Sequence, residues 1–139
     1  MCTPYFYYHF MKKFVRQYKY SLLCFIVIFI LMAIPGTMIP PIPNFRDWLQ
    51  WDKISHLLFF GGLSYVMLRD RYQSPSVNNK FFTYGFIFFI GVSYGAFTEW
   101  FQHLPFVKRD GNYFDWCADI IGVALGMLLF SLLLKKKNN

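Results

Sequence analysis

The segment Asp115–Lys137, DWCADIIGVALGMLLFSLLLKKK, decides the fold. From Ile120 to Leu134 it carries no charge, and Lys135, Lys136 and Lys137 then close it. An apolar run of this length ending in a basic stop describes a helix whose solvent is lipid, not an amphipathic helix laid on a soluble core. Only its start is polar. Asp115 and Asp119 stand one turn apart and share a face.

The rest of the chain agrees. Its 139 residues are 56% hydrophobic and 15% charged, with 18 Phe and 10 Tyr. That is one unit in length, with far more apolar and aromatic surface than a small soluble core would use. The net charge of +7 comes from basic residues that flank the apolar runs. They read as determinants of membrane orientation, which argues against a nucleic-acid partner. Cys2, Cys24 and Cys117 form no disulfide framework and read as small apolar filler.

Working back from Asp115, the spacing predicts four spans, at about 21–39, 52–68, 81–101 and 115–134. The expected architecture is all-α: an integral membrane four-helix bundle over residues 21–139, preceded by an interfacial segment at 1–20. In that segment Tyr7, Met11, Phe14 and Tyr18 share one helical face, and Lys12, Arg16 and Lys19 share the other. This is the pattern of a helix lying on an anionic leaflet, with membrane lipid as its partner. A signal peptide is the competing reading, but no small-x-small cleavage site follows Ala33. Pro35-Gly36 should kink or end the first span, and Pro40, Pro41 and Pro43 carry an outer loop. Residues 45–51 read as an interfacial turn of helix.

Lys and Arg set the orientation. With both termini in the cytoplasm, the inner side holds Lys12, Lys13, Arg16, Lys19, Arg69, Arg71, Lys80 and Lys135 to Lys137. The outer side holds Arg46, Lys53, Lys108 and Arg109, so the 14 basic residues split ten to four. Trp48, Trp51, Trp100 and Trp116 all fall at the outer margin, as an aromatic belt would.

That margin also collects the ionisable residues. Asp52, Lys53 and His56 open the second span, Glu99, Gln102 and His103 close the third, and Asp115 and Asp119 open the fourth. By four-residue spacing Asp52 stacks with His56 and Glu99 with His103. Carboxylates crowded at low dielectric require protonation or a cation, supplied by Lys53, Arg109, His56 or His103, or by a metal ion. Glu99, at a helix C-terminus, most needs such a partner. No His-Glu-x-x-His helix or cysteine set occurs, so no metal or other cofactor is assigned. Gly91 and Gly95 lead to Glu99, while Gly122 and Gly126 follow Asp119. Such stripes let helices approach closely, so the third and fourth spans are expected to pack through them and turn Glu99 toward Asp119. They serve contacts between chains equally well, which leaves a homo-oligomer open.

These residues resemble a known pattern. Asp52-Lys53-Ile54-Ser55-His56-Leu57-Leu58-Phe59-Phe60 is similar to the Asp-Lys-x-x-His-x-x-x-Phe opening of VanZ-like membrane proteins. Glu99-Trp100-Phe101-Gln102 looks like their Glu-x-x-Gln, and Arg109, Asp115, Asp119, Gly122 and Gly126 resemble the pattern that follows. Asp119 stands where many of those proteins carry Asn. The resemblance implies a bacterial cell (inner) membrane; its namesake is linked to low-level resistance to teicoplanin, a glycopeptide that binds cell-wall precursors.

The expected function is a cell-envelope membrane protein that binds or organises an envelope lipid or lipid-linked cell-wall precursor. Asp52, Lys53, His56, Glu99, Gln102, Arg109, Asp115 and Asp119 would form its outward polar pocket. A non-enzymatic role is preferred. One alternative is an intramembrane hydrolase or transferase on a lipid-linked substrate, with Glu99 or His56 as general base. Another is an ion- or proton-coupled transporter. It ranks last, because the inner halves of the spans carry no comparable polar set and no inverted repeat is visible. Against all three stands the structural reading, in which the polar groups at span ends bond one another and fix register.

Overall fold

The structure is a computed structural model that describes residues 4–38, 51–73, 79–105, 107 and 113–138. Among these it is all-α: α1 (Pro4–Gln17), α2 (Lys19–Met32), α3 (Trp51–Tyr72), α4 (Lys80–Gln102) and α5 (Tyr113–Asn138), with a short 3-10 turn at Gly36–Met38. Helices α4 and α5 are long and apolar enough to cross a membrane. At about 1.5 Å per residue, 23 residues give α4 roughly 34 Å, against a hydrocarbon core of about 30 Å.

The other two expected spans differ in form. Helix α2 ends at Met32, well short of Ile39, because the chain approaching Pro35 cannot hold helical backbone and the proline has no N–H to offer. It joins α1 at a bend of 73°, and only as that bent pair does it meet the length and apolarity needed to cross. Helix α3 has the length, 22 residues, but carries Asp52, Lys53, Arg69, Asp70 and Arg71 within it. The interfacial turn expected before Trp51, with Arg46 and Trp48, lies outside the described residues.

The polarity runs inside out. Phe81 is 90% exposed, and Phe82, Phe89, Leu128 and Leu132 are exposed as well. The fully buried side chains include His56, Ser64, Asp70, Thr98 and Asp119 beside Phe60, Leu63, Leu68 and Val123. An outer shell of Phe and Leu around an interior this polar suits lipid as the surrounding medium.

Contacts between the helices fix their directions. His56 meets Asp119 and Tyr72 meets Phe130, so α3 and α5 run parallel. Trp116 donates to the Val92 carbonyl at 3.3 Å, while Tyr84 and Ser131 share a 2.8 Å hydrogen bond, so α4 runs antiparallel to α5. Helix α2 follows α4, with the Tyr94 hydroxyl donating to the Phe25 carbonyl at 2.7 Å.

The α3–α5 seam is the tightest. A Cβ placed on Gly122 would stand 2.5 Å from the Leu57 carbonyl oxygen, and one on Gly126 would overlap the Gly61 carbonyl and the Ser64 hydroxyl. Ser64 then donates across the seam to the Val123 carbonyl at 2.9 Å. This corrects the expected use of the glycine stripes. Gly122 and Gly126 face α3, and only Gly91 and Gly95 form the α4–α5 contact, against Val123 and Asp119. Helix phase explains it. At about 100° per residue, Gly122 lies about 60° to one side of Asp119 and Val123 about 40° to the other. Asp119 therefore fills the angle where α3 and α4 meet α5.

The far end of α3 holds the bend. Because α2 starts anew after Tyr18, its first amides lack helical partners. Asp70, fully buried, accepts from the Ser21 amide at 2.9 Å and the Ser21 hydroxyl at 2.8 Å. A carboxylate at a helix N-terminus also complements the helix dipole.

Two stability outcomes follow from these contacts. Gly126→Ala should lower stability by about 1–3 kcal/mol through overpacking. Gly62→Ala, with nothing within 4 Å of its added Cβ, should stay within about 0.5 kcal/mol of the parent in the same detergent melt. Asp70→Ala should cost about 2–3 kcal/mol for two lost charge-assisted hydrogen bonds, and Asp70→Asn, which can still accept from Ser21, should cost less.

Candidate functional site

Three helices deliver polar side chains to one end of the molecule. Helix α3 contributes its first turns with Asp52, Lys53 and His56, α4 its last turn with Glu99, and α5 its first turns with Asp115 and Asp119. These meet because α3 and α5 begin, and α4 ends, on the same side. His56 and Asp119 are 0% exposed, and Glu99 and Asp115 are buried with them.

His56 is the hub. Its Nδ1 makes a 2.9 Å hydrogen bond with Asp119 Oδ1 and lies 3.5 Å from Glu99 Oε1. Its hydrogen-bond partner is thus on α5, 63 residues away, while Asp52 lies one turn before it on α3. Asp52 is half-buried, and its backbone carbonyl accepts from the Ser55 hydroxyl at 2.7 Å. The ring of His56 lies nearly parallel to that of Phe60, with centroids 6.4 Å apart.

A second pair flanks the hub. Lys53 Nζ lies 3.5 Å from Asp115 Oδ1, with the lysine side chain 20% exposed and the aspartate 4%. The long lysine stem lets its ammonium stay near the interface while covering a buried carboxylate. Asp115 and Asp119 also sit where the N-terminal end of α5 favours negative charge.

Gln102, an expected member, points elsewhere, as does His103 of the same margin. Gln102 is buried but turns to α2, where its Nε2 donates to the Met32 carbonyl at 3.4 Å and lies 3.3 Å from the Met32 sulfur. It satisfies one of the last carbonyls of α2, so its role here is to seat that helix. His103 is exposed and donates from Nδ1 to the backbone carbonyl of Glu99 at 2.8 Å; its stacking on Glu99 thus engages the main chain. Arg109 lies outside the described residues.

Gly95 belongs to the site in a way that the sequence signals only as a small residue. A Cβ there would stand 2.7 Å from Asp119 Oδ2, so the missing side chain is the space Asp119 occupies. Thr98, three residues on, is fully buried, its hydroxyl donating back to the Gly95 carbonyl at 2.9 Å. Nothing in the pattern of apolar residues distinguishes Thr98 from an ordinary helix position.

Chemically, the arrangement offers an ammonium and an imidazole set among carboxylates at one end of three packed helices. Such a set can hold a polar headgroup, exchange protons with it, or bind a cation. No protein-family profile, curated protein or solved structure matches the chain.

The Lys53–Asp115 pair should behave asymmetrically. Lys53→Met strands a buried carboxylate and should cost about 2–4 kcal/mol. Asp115→Asn leaves a lysine that can extend to water and should cost less. The double variant should recover part of the loss, with a coupling of about 1–3 kcal/mol in a thermal-melt double-mutant cycle.

Proposed function

We propose that this chain is a VanZ-like protein of a bacterial inner membrane. It crosses four times with both termini in the cytoplasm, and its polar cluster binds an envelope lipid or lipid-linked cell-wall precursor from the outer leaflet. The segment from about residue 21 supplies the first crossing, entered from α1 through the 73° bend, and α3 supplies the second, its charges confined to its two ends. The ten-to-four bias of basic residues supports this orientation. So do Trp51, Trp100 and Trp116, which stand at the cluster's end of α3, α4 and α5.

One observation carries the reading: Lys53, His56, Glu99, Asp115 and Asp119 converge from three helices onto one end. Desolvating that many ionisable groups at the margin of an apolar bundle is costly, and such groups in membrane segments mark functional sites by default. A lipid-linked precursor supplies matching chemistry, with a phosphate for Lys53, hydroxyls and amides for the carboxylates, and an acyl or prenyl chain for the apolar flank. Such a cluster needs no soluble access path, because a lipid reaches it laterally along the leaflet.

Mass spectrometry of gently purified protein tests this. The wild type should carry a lipid-linked precursor, and Glu99→Gln should retain at least about tenfold less of it. Its melting temperature should stay within a few degrees of the parent. Identical lipid content in both proteins, with the variant simply melting earlier, would leave the cluster as scaffolding.

A further inference from the structure

Three side chains from three helices aim ligating atoms at one another. One donor atom each from His56, Glu99 and Asp119 lies within 4.8 Å of the others, and all three residues are buried. The spacing is informative. His56 Nδ1 stands 2.9 Å from one carboxylate oxygen and 3.5 Å from the other. Hydrogen bonding accounts for the first distance but is at its limit for the second. A cation bound at about 2.0–2.2 Å to nitrogen and carboxylate oxygen separates adjacent donors by about 2.9 Å in octahedral and about 3.4 Å in tetrahedral geometry. The observed distances bracket that interval.

A second observation is independent of the spacing. Asp119 is 0% exposed, and its second carboxylate oxygen, Oδ2, has no hydrogen-bond partner among the described residues. Native interiors satisfy nearly all such atoms, and exceptions gather where a ligand or ion completes the set. Gly95 contributes by letting the Asp119 carboxylate pack directly against α4, on the same side as Glu99.

We infer that His56, Glu99 and Asp119 form a binding site for one divalent first-row transition cation, with Zn2+ as the reference ion. A neutral imidazole and two carboxylates sum to two negative charges, which a dication cancels where solvent cannot. One nitrogen and two oxygens suit zinc and its borderline neighbours better than purely oxygen-seeking ions. Neither Cys24 nor Cys117 belongs to the set. Three protein ligands leave a coordination position for a water or an oxygen of a bound molecule. The inference stands on the ligand set and does not depend on whether the pocket takes a lipid.

The test uses the full chain, purified in detergent, stripped of lipid and chelator-treated, then titrated with Zn2+ alone and assayed for bound metal. One zinc per chain is expected. Affinity should fall at least about tenfold in Asp119→Asn and in Glu99→Gln. His103→Gln should leave it unchanged, since that ring is engaged with a backbone carbonyl. X-ray absorption of the zinc-loaded wild type requires no variant and should show one imidazole in an otherwise oxygen shell. Less than about a tenth of a zinc per chain, sulfur in the shell, or undiminished affinity in both ligand variants would overturn the site. If the variants do not accumulate, the absorption spectrum decides. Zinc bound without any co-purified precursor would sustain this site while removing the headgroup reading, and a precursor without zinc would do the reverse.

Discussion

Backbone contact between α3 and α5 is the constraint on which the rest depends. Gly122 lies under the Leu57 carbonyl, Gly126 against Gly61 and Ser64, and Ser64 donates to the Val123 carbonyl across the seam. In lipid, apolar surface gains little by pairing with apolar surface, so close packing and interhelical hydrogen bonds are what draw helices together. With α5 fixed against α3 in this phase, Asp119 is committed to the angle between α3 and α4. Asp115 falls beside Lys53, and His56 becomes the meeting point of two carboxylates. A looser seam would move all of these at once.

The opposite end of α3 works by a different device. There the bend between α1 and α2 exposes the first amides of α2, and Asp70 answers them through Ser21. Arg69 lies over the Tyr20 ring at 5.4 Å and Lys19 over the same ring at 4.6 Å, so cations gather around the aromatic face beside this latch. Helix α3 thus carries a buried acid near one end and a buried imidazole near the other. Between them Phe60, Leu63, Met67 and Leu68 form its part of the apolar core.

Helical periodicity made much of this legible. The apolar runs locate α4 and α5, and the polar residues at one end of three runs identify the groups that converge. Periodicity reports which face a residue occupies but not which helix that face meets, so the glycines after Asp119 were expected against α4 and pack on α3. The same limit applies to His56, whose helical neighbour Asp52 is four residues away while its hydrogen-bond partner is on α5. Gln102 falls on the polar end by position, yet its partner is the end of α2. Asp70, sited between two arginines, has the sequence context of a solvated helix end. Its burial depends on Ser21, 49 residues earlier and just past the bend, which no local pattern announces.

The order in which the chain is made gives the glycine seam a further meaning. Helix α5 is synthesised after α3 and α4, and it brings the partners of both His56 and Lys53, along with the glycines that let it dock. Until it arrives, α3 and α4 present an imidazole and a carboxylate with no Asp115 or Asp119 opposite them. The polar end therefore has no partly assembled form that resembles the finished one. Its completion waits for α5, so a chain halted before residue 113 contains α3 and α4 but no site.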